Sequence, residues 1–480
     1  MSSSLHCRSS ASSRPDIIKA ECAGPAGDAC PGSTHNALSS TSTKPPAGTR
    51  DFLPDEVRRR EHVIRIVRQV YERYGFEPLE TPAFENIETL LGKYGEEGNR
   101  LIFKILKRGE HETSGEADLA LRYDLTVPLA RVVAQYQNEL PRFWKRYQIQ
   151  PVWRADRPAR GRFREFYQCD IDAIGSTSPA VEADVIGAVC DVLGQLGFEG
   201  FSLRLNHRLV LSGLLDAAGV PPPQHSEALV ALDKLDKISA GGVRAEFVTR
   251  GIDGAAAERC LASFEVGQAE RPDDTLRRLR SALGEQDAAV GNLQSIVTLA
   301  AHTAAAGRIR IDPSLARGLS YYTGAIMEIA VPDLAGSLGG GGRYDNLVGM
   351  FLGRDVPACG FSLGLERIIV VMTERGMFPA KVGGAAVDVM VTMWNEDSRA
   401  EGLALAAELR RDGLRVDLYP EADKLGKQLK YAAGRSTPFV AILGDDERAK
   451  GMVSIKDMRS GDQHTVARGE AAEHIRSRRQ

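Results

Sequence analysis

Apolar and polar positions alternate with recognisable periods along most of the chain. Between residues 55 and 74 the apolar side chains recur at helical spacing, which predicts a helix with one buried face. Residues 143–153 and 166–174 are rich in aromatic and β-branched side chains and predict two strands. If these strands pair antiparallel, the loop between them, 154–164, projects its arginines from a rigid platform.

The same criteria divide the rest of the chain into three parts. Residues 209–308 are rich in Ala and Leu and predict a helical insertion. Residues 309–380 are Gly-rich and extended in pattern, and we expect them to complete a domain begun by residues 45–208. Residues 385–480 alternate strand and helix patterns, which is typical of a small α/β domain. The strand patterns lie at 387–393, 415–419, 439–443 and 452–458, and the helical patterns at 398–412 and 423–434.

Residues 1–44 differ in composition from everything that follows. They are rich in Ser, Ala, Gly and Thr and have little periodicity, so they bury too little apolar surface to offset the entropy of ordering. A disordered tail is therefore expected. The serines together with Arg8 and Arg14 also suggest a transit peptide, although acidic residues such as Asp16 and Glu21 oppose that interpretation. We expect a cytoplasmic protein, with organelle targeting by this tail left open.

Composition excludes several classes of function. The 480 residues include 61 Lys and Arg against 64 Asp and Glu, so any contact with nucleic acid must use a local basic patch. Because no run of 18 apolar residues occurs, no membrane-spanning helix is expected. The seven cysteines are scattered and never form CxxC, which argues against zinc and favours a reducing compartment. The nine histidines are dispersed, so the residues that would hold a metal stay unknown.

The arginine-rich loop is the first candidate for chemistry. Its arginines are Arg154, Arg157, Arg160, Arg162 and Arg164. A planar guanidinium binds phosphate with two hydrogen bonds, although a solvated basic loop would have the same composition. The strand that follows favours a site, because an aromatic ring beside arginines suits a purine and its phosphates. Alternate residues of a strand share one face, and here that face carries Phe166, Gln168, Asp170 and Asp172.

Two further segments suit a binding pocket. Asp124 and Thr126 share a face if their backbone is extended, and they would then offer a counter-charge and a hydrogen bond to an amine. They could equally cap a helix that begins near Pro128, and both interpretations stay open. Residues 317–324 begin with Arg317 and place two tyrosines between glycines, which suits either a pocket wall or a strand with a salt-bridged arginine.

Glycines mark the remaining candidate segments. The run 339–342 consists of four glycines, which allow close approach of the backbone or simple flexibility. Residues 360–364 read GxSxG, but a hydrolase elbow requires an acid and a histidine later in the chain. Only His464 and His474 follow, in the last α/β unit. We therefore interpret 360–364 as a strand that leads into a helix with Arg367 in its first turn.

Together these segments resemble the class II aminoacyl-tRNA synthetases. Motif 1 of that class is similar to residues 74–84, motif 2 to residues 153–170, and motif 3 to residues 360–367. Signatures of the histidyl-tRNA synthetases are similar to residues 46–52, 121–126, 164–170 and 317–324. That family often has Asp where this chain has Ser320, while Arg317 and both tyrosines are kept. The resemblance extends over roughly residues 45–460.

The resemblance implies both a fold and a reaction. The fold is α+β, with an antiparallel-sheet catalytic domain, a helical insertion and a small C-terminal α/β anticodon-binding domain. The reaction joins L-histidine to its tRNA by way of histidyl-adenylate, with ATP as a substrate, Mg²⁺ on the pyrophosphate and a homodimer as the assembly. A related possibility is a non-catalytic regulatory subunit that binds histidine, which Arg317 and the terminal domain disfavour.

It also implies a role for each candidate residue. Arg317 and Arg154 are the catalytic residues, placed on opposite sides of the α-phosphate. The ATP-binding set is Arg154, Arg162, Phe166 and Arg367. The histidine-binding set is Asp124, Thr126 and Gln168 at the ammonium group, with Asp172, Tyr321 and Tyr322 at the imidazole. On a helix face of the last domain, Lys424, Lys427 and Lys430 predict either contact with the anticodon stem or a solvated surface.

Overall fold

The computed structural model describes residues 42–109, 114–232, 235, 238–264, 270–284, 287–316, 321–332, 334, 336–383 and 385–479. Arg317 and Ser320 lie outside the described residues, as does nearly all of the predicted tail. The chain divides into two units, Met1–Pro45 and Pro46–Gln480. The description that follows concerns the second unit.

The strands of the described residues form three sheets. In chain order they are β1 (Glu77–Pro78), β2 (Phe84–Asn86), β3 (Lys104–Leu106), β4 (Ala117–Leu121), β5 (Trp144–Trp153), β6 (Glu165–Ile174), β7 (Ser202–His207), β8 (Ile309–Ile311), β9 (Ala325–Ala330), β10 (Ser337–Arg343), β11 (Ala358–Gly364), β12 (Val389–Val391), β13 (Val416–Leu418), β14 (Phe439–Ile442), β15 (Met452–Asp457) and β16 (Gln463–Ala467). The largest sheet has the order β1-β5-β6-β11-β10-β9-β7-β8 and is antiparallel except at its two edge pairs. The smaller sheets have the orders β2-β4-β3 and β13-β12-β14-β15-β16.

Helices cover these sheets. In chain order they are α1 (Pro54–Arg73), α2 (Ile87–Leu90), α3 (Gly95–Arg100), α4 (Thr126–Gln135), α5 (Pro179–Gln195), α6 (Arg208–Ala217), α7 (His225–Leu232), α8 (Ala240–Thr249), α9 (Gly254–Phe264), α10 (Pro272–Leu283), α11 (Ala288–Ala300), α12 (Gly349–Leu352), α13 (Leu365–Glu374), α14 (Arg399–Arg411), α15 (Leu425–Gly434), α16 (Asp445–Lys450) and α17 (Ala471–Ser477). None of the helices in the described part of the chain is long and apolar enough to cross a membrane.

Helix α1 shows why the predicted long helix forms where it does. Pro54 occupies the first turn, where its missing N–H costs nothing, and two acidic residues there favour the positive end of the helix dipole. Arg73 lies in the last turn, and Gly75 follows with a φ of +78°. Most of the apolar side chains that recur at helical spacing, including Val63 and Val67, are buried. The helix predicted from residues 55–74 is therefore confirmed.

The predicted strand pair is also confirmed and forms the centre of the large sheet. Strands β5 and β6 pair antiparallel along their whole length, from Trp144 opposite Ile174 to Trp153 opposite Glu165. The small sheet β2-β4-β3 was not predicted, because its strands are only three to five residues long and give too short a period to recognise.

The helical insertion is helical as predicted, and it shares its core with the large sheet. Helices α6–α11 account for most of residues 209–308. Their apolar side chains, such as Phe247 and Leu293, belong to the same buried cluster as Val67 of α1 and Ile171 of β6. The insertion therefore stabilises the sheet from one side rather than forming a separate core.

Strand β6 separates the core from the opposite face of the sheet. Cys169 and Ile171 point into the apolar core, and Tyr167 packs against it. Because strand residues alternate, the residues between them project to the other face, as the sequence predicted. On the neighbouring strands, a Cβ added at Gly339 or Gly341 would lie 2.3 and 2.2 Å from carbonyl oxygens of β11. These two glycines stand opposite Leu363 and Phe361, whose side chains belong to the apolar core, so they permit a close approach of β10 and β11 on the core side of the sheet.

Candidate active site

A cavity of about 410 Å³ opens on the polar face of the large sheet. Its wall comes from β6, β10, β11, the loop 154–164, the start of α13 and the segment before α4. Every predicted site residue that the structure describes contributes to the lining: Asp124, Thr126, Arg154, Arg162, Phe166, Gln168, Asp172, Tyr321, Tyr322 and Arg367. Residues far apart in the chain thus meet at one site, while the predicted catalytic Arg317 lies outside the described residues.

Asp124 both caps a helix and lines the cavity. Its Oδ1 accepts hydrogen bonds from the Val127 backbone N–H at 3.0 Å and from the Tyr94 hydroxyl at 3.0 Å. Of the two interpretations left open by the sequence, helix capping is confirmed and extended backbone is wrong, because Thr126 is the first residue of α4 and Leu125 has φ −101° and ψ −7°. The physical reason is that Asp124 satisfies an N–H of the first helical turn. Burial raises the pKa of Asp124, and the hydrogen bond from Val127 opposes that shift.

Gln168 offers an acceptor that the described residues leave unpaired. Its Nε2 donates to the Ser362 hydroxyl at 2.7 Å, whereas its Oε1 is buried without a hydrogen-bond partner. A buried acceptor of this kind is suited to a ligand N–H. Ser362 itself lies inside β11, between Asp170 of β6 and Gly340 of β10. It is a strand residue rather than the tip of a turn, which agrees with setting aside the hydrolase elbow.

Asp172 is held on both of its oxygens. Oδ2 lies 2.8 Å from Nη2 of Arg146, which stands directly opposite on β5, and the hydroxyl of Tyr344 donates to Oδ1. Burial raises the pKa of Asp172 to about 6, while Arg146 and the Tyr344 hydrogen bond oppose the shift. Sequence reasoning missed both partners. The antiparallel register of β5 and β6 would have revealed Arg146.

Asp170 is a second acid that sequence reasoning placed on this face without a role. Its side chain is only 2% exposed, and its Oδ1 has no partner among the described residues. Burial raises its pKa to about 7, Arg146 lowers it and Asp172 raises it. Two buried acids therefore share the positive charge of Arg146, so the site holds a negative charge for a ligand cation.

Tyrosine rings form the wall beside these acids. The rings of Tyr321 and Tyr322 meet edge to face with centroids 5.1 Å apart, and Tyr344 lies 6.1 Å from Tyr321 in the same manner. Burial raises the pKa of Tyr321 well above its usual value, so its hydroxyl stays neutral. This end of the cavity combines apolar ring surface with hydroxyl and carboxylate groups, which suits a flat heterocycle with N–H groups.

The opposite end of the cavity is arginine-rich. The Nε of Arg154 donates to the Tyr123 carbonyl at 3.0 Å, and its guanidinium lies 4.3 Å from the Tyr123 ring and 5.2 Å from the Phe166 ring. Arg367 donates to the carbonyl of Ser337 at 2.5 Å. These bonds hold each guanidinium in one orientation. The arrangement suits a phosphate chain with an aromatic base beside it.

Comparison with known proteins identifies the family. A family model described as histidyl-tRNA synthetase matches residues 48–368, and one described as anticodon binding domain matches residues 388–478. The chain belongs to the histidyl-tRNA synthetase family. It is similar to the histidine–tRNA ligase of Christiangramia forsetii, with 41% identity over 441 residues, 88% of this chain and 96% of that one. It is also 41% identical to that of Gloeobacter violaceus, over 90% of this chain and 98% of that one.

Solved structures of the histidyl-tRNA synthetase family confirm the predicted fold. The crystal structure of the histidyl-tRNA synthetase from Nostoc sp. PCC 7120 has a TM-score of 0.75 and 31% identity, covering 91% of this chain and all of that one. The α+β fold is thus confirmed: an antiparallel-rich sheet with a helical insertion, followed by an α/β anticodon-binding domain.

The three lysines singled out in the anticodon-binding domain lie at helix α15. Lys424 directly precedes the helix, and Lys427 and Lys430 lie within it. Lys427 pairs with Asp423 at 2.8 Å, and the hydrogen bond that Lys427 donates to Asp423 raises the pKa of Lys427. The choice between an anticodon-stem contact and a solvated surface stays a prediction.

Proposed function

We propose that this protein ligates L-histidine to histidine-specific tRNA in two steps. The observation that carries the proposal is the single cavity, in which an acid- and tyrosine-lined end meets an arginine-lined end. The reaction follows from family membership. The acidic end suits the ammonium and imidazole groups of histidine, and the arginine-lined end suits the phosphates of ATP. We assign the catalytic domain to residues 45–208 and 309–380, the insertion to residues 209–308 and anticodon binding to residues 385–480.

The histidine end binds the amino acid through three kinds of group. The α-ammonium group contacts Asp124, Thr126 and Gln168, whose unpaired Oε1 accepts one of its protons. Asp172 and Tyr322 recognise the imidazole, with Tyr321 beside them. A pocket that pairs with polar ring atoms leaves buried groups unsatisfied when an apolar amino acid enters, which discriminates by roughly 10⁴-fold.

The ATP end positions the phosphates for attack. A carboxylate oxygen of histidine forms a bond to the α-phosphorus while the bond to the β-phosphate oxygen breaks and pyrophosphate leaves. Arg154 holds the α-phosphate, and we place Arg317 on its opposite side. Arg162 and Arg367 hold the outer phosphates, and Phe166 stacks on adenine. The protein forms no covalent bond, so orientation and charge stabilisation provide the rate enhancement.

Magnesium fits this end as an ion carried on the phosphates. Among the described residues, no group of three or more acidic, histidine or cysteine side chains could hold a metal ion. Mg²⁺ commonly takes one or two carboxylates together with phosphate oxygens and water. At this end of the cavity wall, Asp156 is the carboxylate that would hold it, because both oxygens of Glu366 accept hydrogen bonds from Arg60 and the Tyr167 N–H. The ion would neutralise charge on the departing pyrophosphate.

The second step needs tRNA and, in our proposal, a homodimer. A terminal ribose hydroxyl attacks the acyl carbon of histidyl-adenylate and AMP leaves. The apolar side chains of Phe84, Leu91 and Leu106 are exposed on or near the sheet β2-β4-β3, which supports an interface with a second copy. The buried free thiols of Cys169 and Cys359 agree with a reducing compartment such as the cytoplasm.

The non-catalytic alternative is not favoured. One structure, described as an ATP phosphoribosyltransferase regulatory subunit/histidyl-tRNA synthetase from Bacillus halodurans, has a TM-score of 0.68 at 20% identity and therefore shows a shared fold alone. The relatives at 41% identity carry the name histidine–tRNA ligase. The present chain also keeps an anticodon-binding domain.

Charging of tRNA tests the proposal directly. Purified protein is incubated with ATP, Mg²⁺, labelled amino acid and a histidine-specific tRNA transcript, and acid-precipitable label is counted. We expect label from histidine alone, and we expect a transcript specific for another amino acid to stay uncharged. Binding of histidine without any charging would contradict the proposed function and favour the regulatory alternative.

A further inference from the structure

Residues 46–52 have no role in the reaction as described above. We call this segment, which begins at Pro46, the N-terminal strap. It opens with a turn in which the Thr49 N–H donates to the Pro46 carbonyl at 3.0 Å, and Gly48 in this turn has a φ of +85°. Helix α1 follows two residues after the strap ends.

The strap is bonded to the arginine-rich loop. The Arg164 N–H donates to the Gly48 carbonyl at 2.8 Å, and Arg164 Nη1 donates to the Ala47 carbonyl at 3.3 Å. A Cβ added at Gly48 would lie 2.7 Å from Cγ of Arg164. Positive φ and close contact together require glycine, so the turn is built to fit against this loop.

Cations and aromatic rings alternate between the strap and the cavity wall. The guanidinium of Arg50 lies 3.7 Å from the centroid of the Phe163 ring and 4.9 Å from that of Phe52. The guanidinium of Arg60 lies 4.1 Å from the centroid of the same Phe52 ring and 4.9 Å from that of Tyr167. The stack therefore connects the loop, the strap, α1 and β6.

Both ends of this stack reach the nucleotide end of the cavity. Phe163 lines the cavity beside Arg162. At the other end, Arg60 donates to Oε1 of Glu366 at 2.9 Å, and Glu366 precedes Arg367 in the first turn of α13. Among the described residues that line the cavity, Phe163 and Glu366 are included but Arg50 is not. Arg50 thus acts on the site only through another side chain.

We infer that Arg50 is a positioning residue for the nucleotide end: its stacking on Phe163 holds the loop that carries Arg162. The inference rests on the proposed function. Within the loop, Ala159 and Arg162 exchange two backbone hydrogen bonds, and Arg162 is exposed. Without the stack, the loop would lose conformational freedom when ATP binds, and that entropy cost would weaken ATP binding. Histidine, which binds at the other end, would be unaffected.

The test is histidine-dependent ATP–pyrophosphate exchange with Arg50→Ala, Arg50→Lys and Phe163→Leu. Arg308→Ala is the matched control, because Arg308 stacks 4.3 Å from Phe201 near the opposite edge of the sheet. We expect Arg50→Ala to raise the KM for ATP roughly tenfold, the size of a partly desolvated cation–π contact, with the KM for histidine within about twofold. Arg50→Lys keeps the positive charge, so it should raise the KM for ATP less than Arg50→Ala does. Arg308→Ala should change neither KM.

Two results would overturn the inference. One is an unchanged KM for ATP in Arg50→Ala, and the other is an equal rise in both KM values, which would indicate general loss of structure. As a second measurement, adding Arg50→Ala to Phe163→Leu should raise the KM for ATP no further, and additive effects would also contradict the stack. If the wild type lacks exchange, the proposed function fails instead, and calorimetric binding of ATP to the same variants still decides the role of Arg50.

Discussion

The two ends of the cavity hold their side chains in different ways. At the histidine end, Asp172 is fixed between Arg146 and Tyr344, and Asp124 is fixed between Val127 and Tyr94. All of these groups belong to strands, a helix start or their buried neighbours. At the nucleotide end, the arginines rest on backbone carbonyls and aromatic rings, and part of the wall is the exposed loop 154–164.

This difference corresponds to two tasks. Selecting one amino acid requires donors and acceptors whose positions are fixed before the ligand arrives, because a group that can turn away no longer rejects a competitor. Binding a flexible triphosphate requires charge and reach, which arginines on a loop provide. We therefore expect changes at the histidine end to affect the KM for histidine, and changes at the nucleotide end to affect ATP binding or turnover.

The largest effect is expected for Arg154→Ala, which should impair the reaction of ATP without changing the binding of histidine. Removing the α-phosphate cation should lower the rate of pyrophosphate exchange by about 10²–10³-fold, as loss of an oxyanion donor does. Arg160→Ala is the control on the same loop, since Arg160 pairs with Glu374 outside the cavity. Histidine binding by calorimetry should stay unchanged in both variants, and its loss in Arg154→Ala would contradict the separation.

Asp170→Asn should change how the stability of the protein depends on pH, because it removes a buried carboxyl group near the histidine end. The pKa of Asp170 is about 7 in the folded protein and near 4 when unfolded, so the folded state binds more protons between these pH values. The free energy of unfolding of the wild type therefore falls across that window as pH rises. The stability gained by Asp170→Asn, measured by denaturant unfolding, should be larger at pH 8 than at pH 5 by roughly 1–3 kcal/mol.

Asp457→Asn in the anticodon-binding domain is the control for this pH effect. A hydrogen bond from Arg459 lowers the pKa of Asp457 to about 2, so Asp457 contributes stability that is lost only as pH falls through its unfolded pKa toward 2. The stability difference from wild type should thus be the same at pH 5 and pH 8. A stability gain for Asp170→Asn that is equally independent of pH would show that Asp170 carries no raised pKa.

Tyr344→Phe should affect the histidine end alone. The variant loses the hydroxyl that donates to Asp172, and a hydrogen bond to a charged group contributes about 1.5–3 kcal/mol. The KM for histidine should rise about tenfold or more, with the KM for ATP unchanged. Tyr419→Phe removes a similar Tyr–Asp bond outside the cavity, at 2.7 Å to Asp423, and should change neither KM. An increase in the KM for ATP alone would reverse the assignment of the two ends.

Local periodicity was enough to predict much of this site. The period of two along β6 placed Phe166, Gln168, Asp170 and Asp172 on one face. In the structure all of these except Asp170, which is buried, line the cavity. The helix α1 and the α/β pattern of the last domain followed from the same kind of signal. Each of these features depends on neighbours within about twenty residues of the chain.

Features that depend on distant residues could not be predicted. Tyr344 reaches Asp172 across 172 positions, and Arg60 reaches Glu366 across 306. The spacing of Asp124 and Thr126 left extended backbone and helix capping open, because the two compete locally, and the structure shows the cap. The histidine end was thus predicted as a set of residues, whereas the bonds that hold it rigid required the tertiary structure.

ATP–pyrophosphate exchange with each of the twenty amino acids tests the central claim most directly, because it reports on both ends of the cavity at once. The account predicts exchange with histidine alone, since only its ring satisfies the buried acids and tyrosines. Exchange with an apolar or aromatic amino acid at a comparable rate would contradict the role of the histidine end. Histidine binding without any exchange would contradict the role of the arginines.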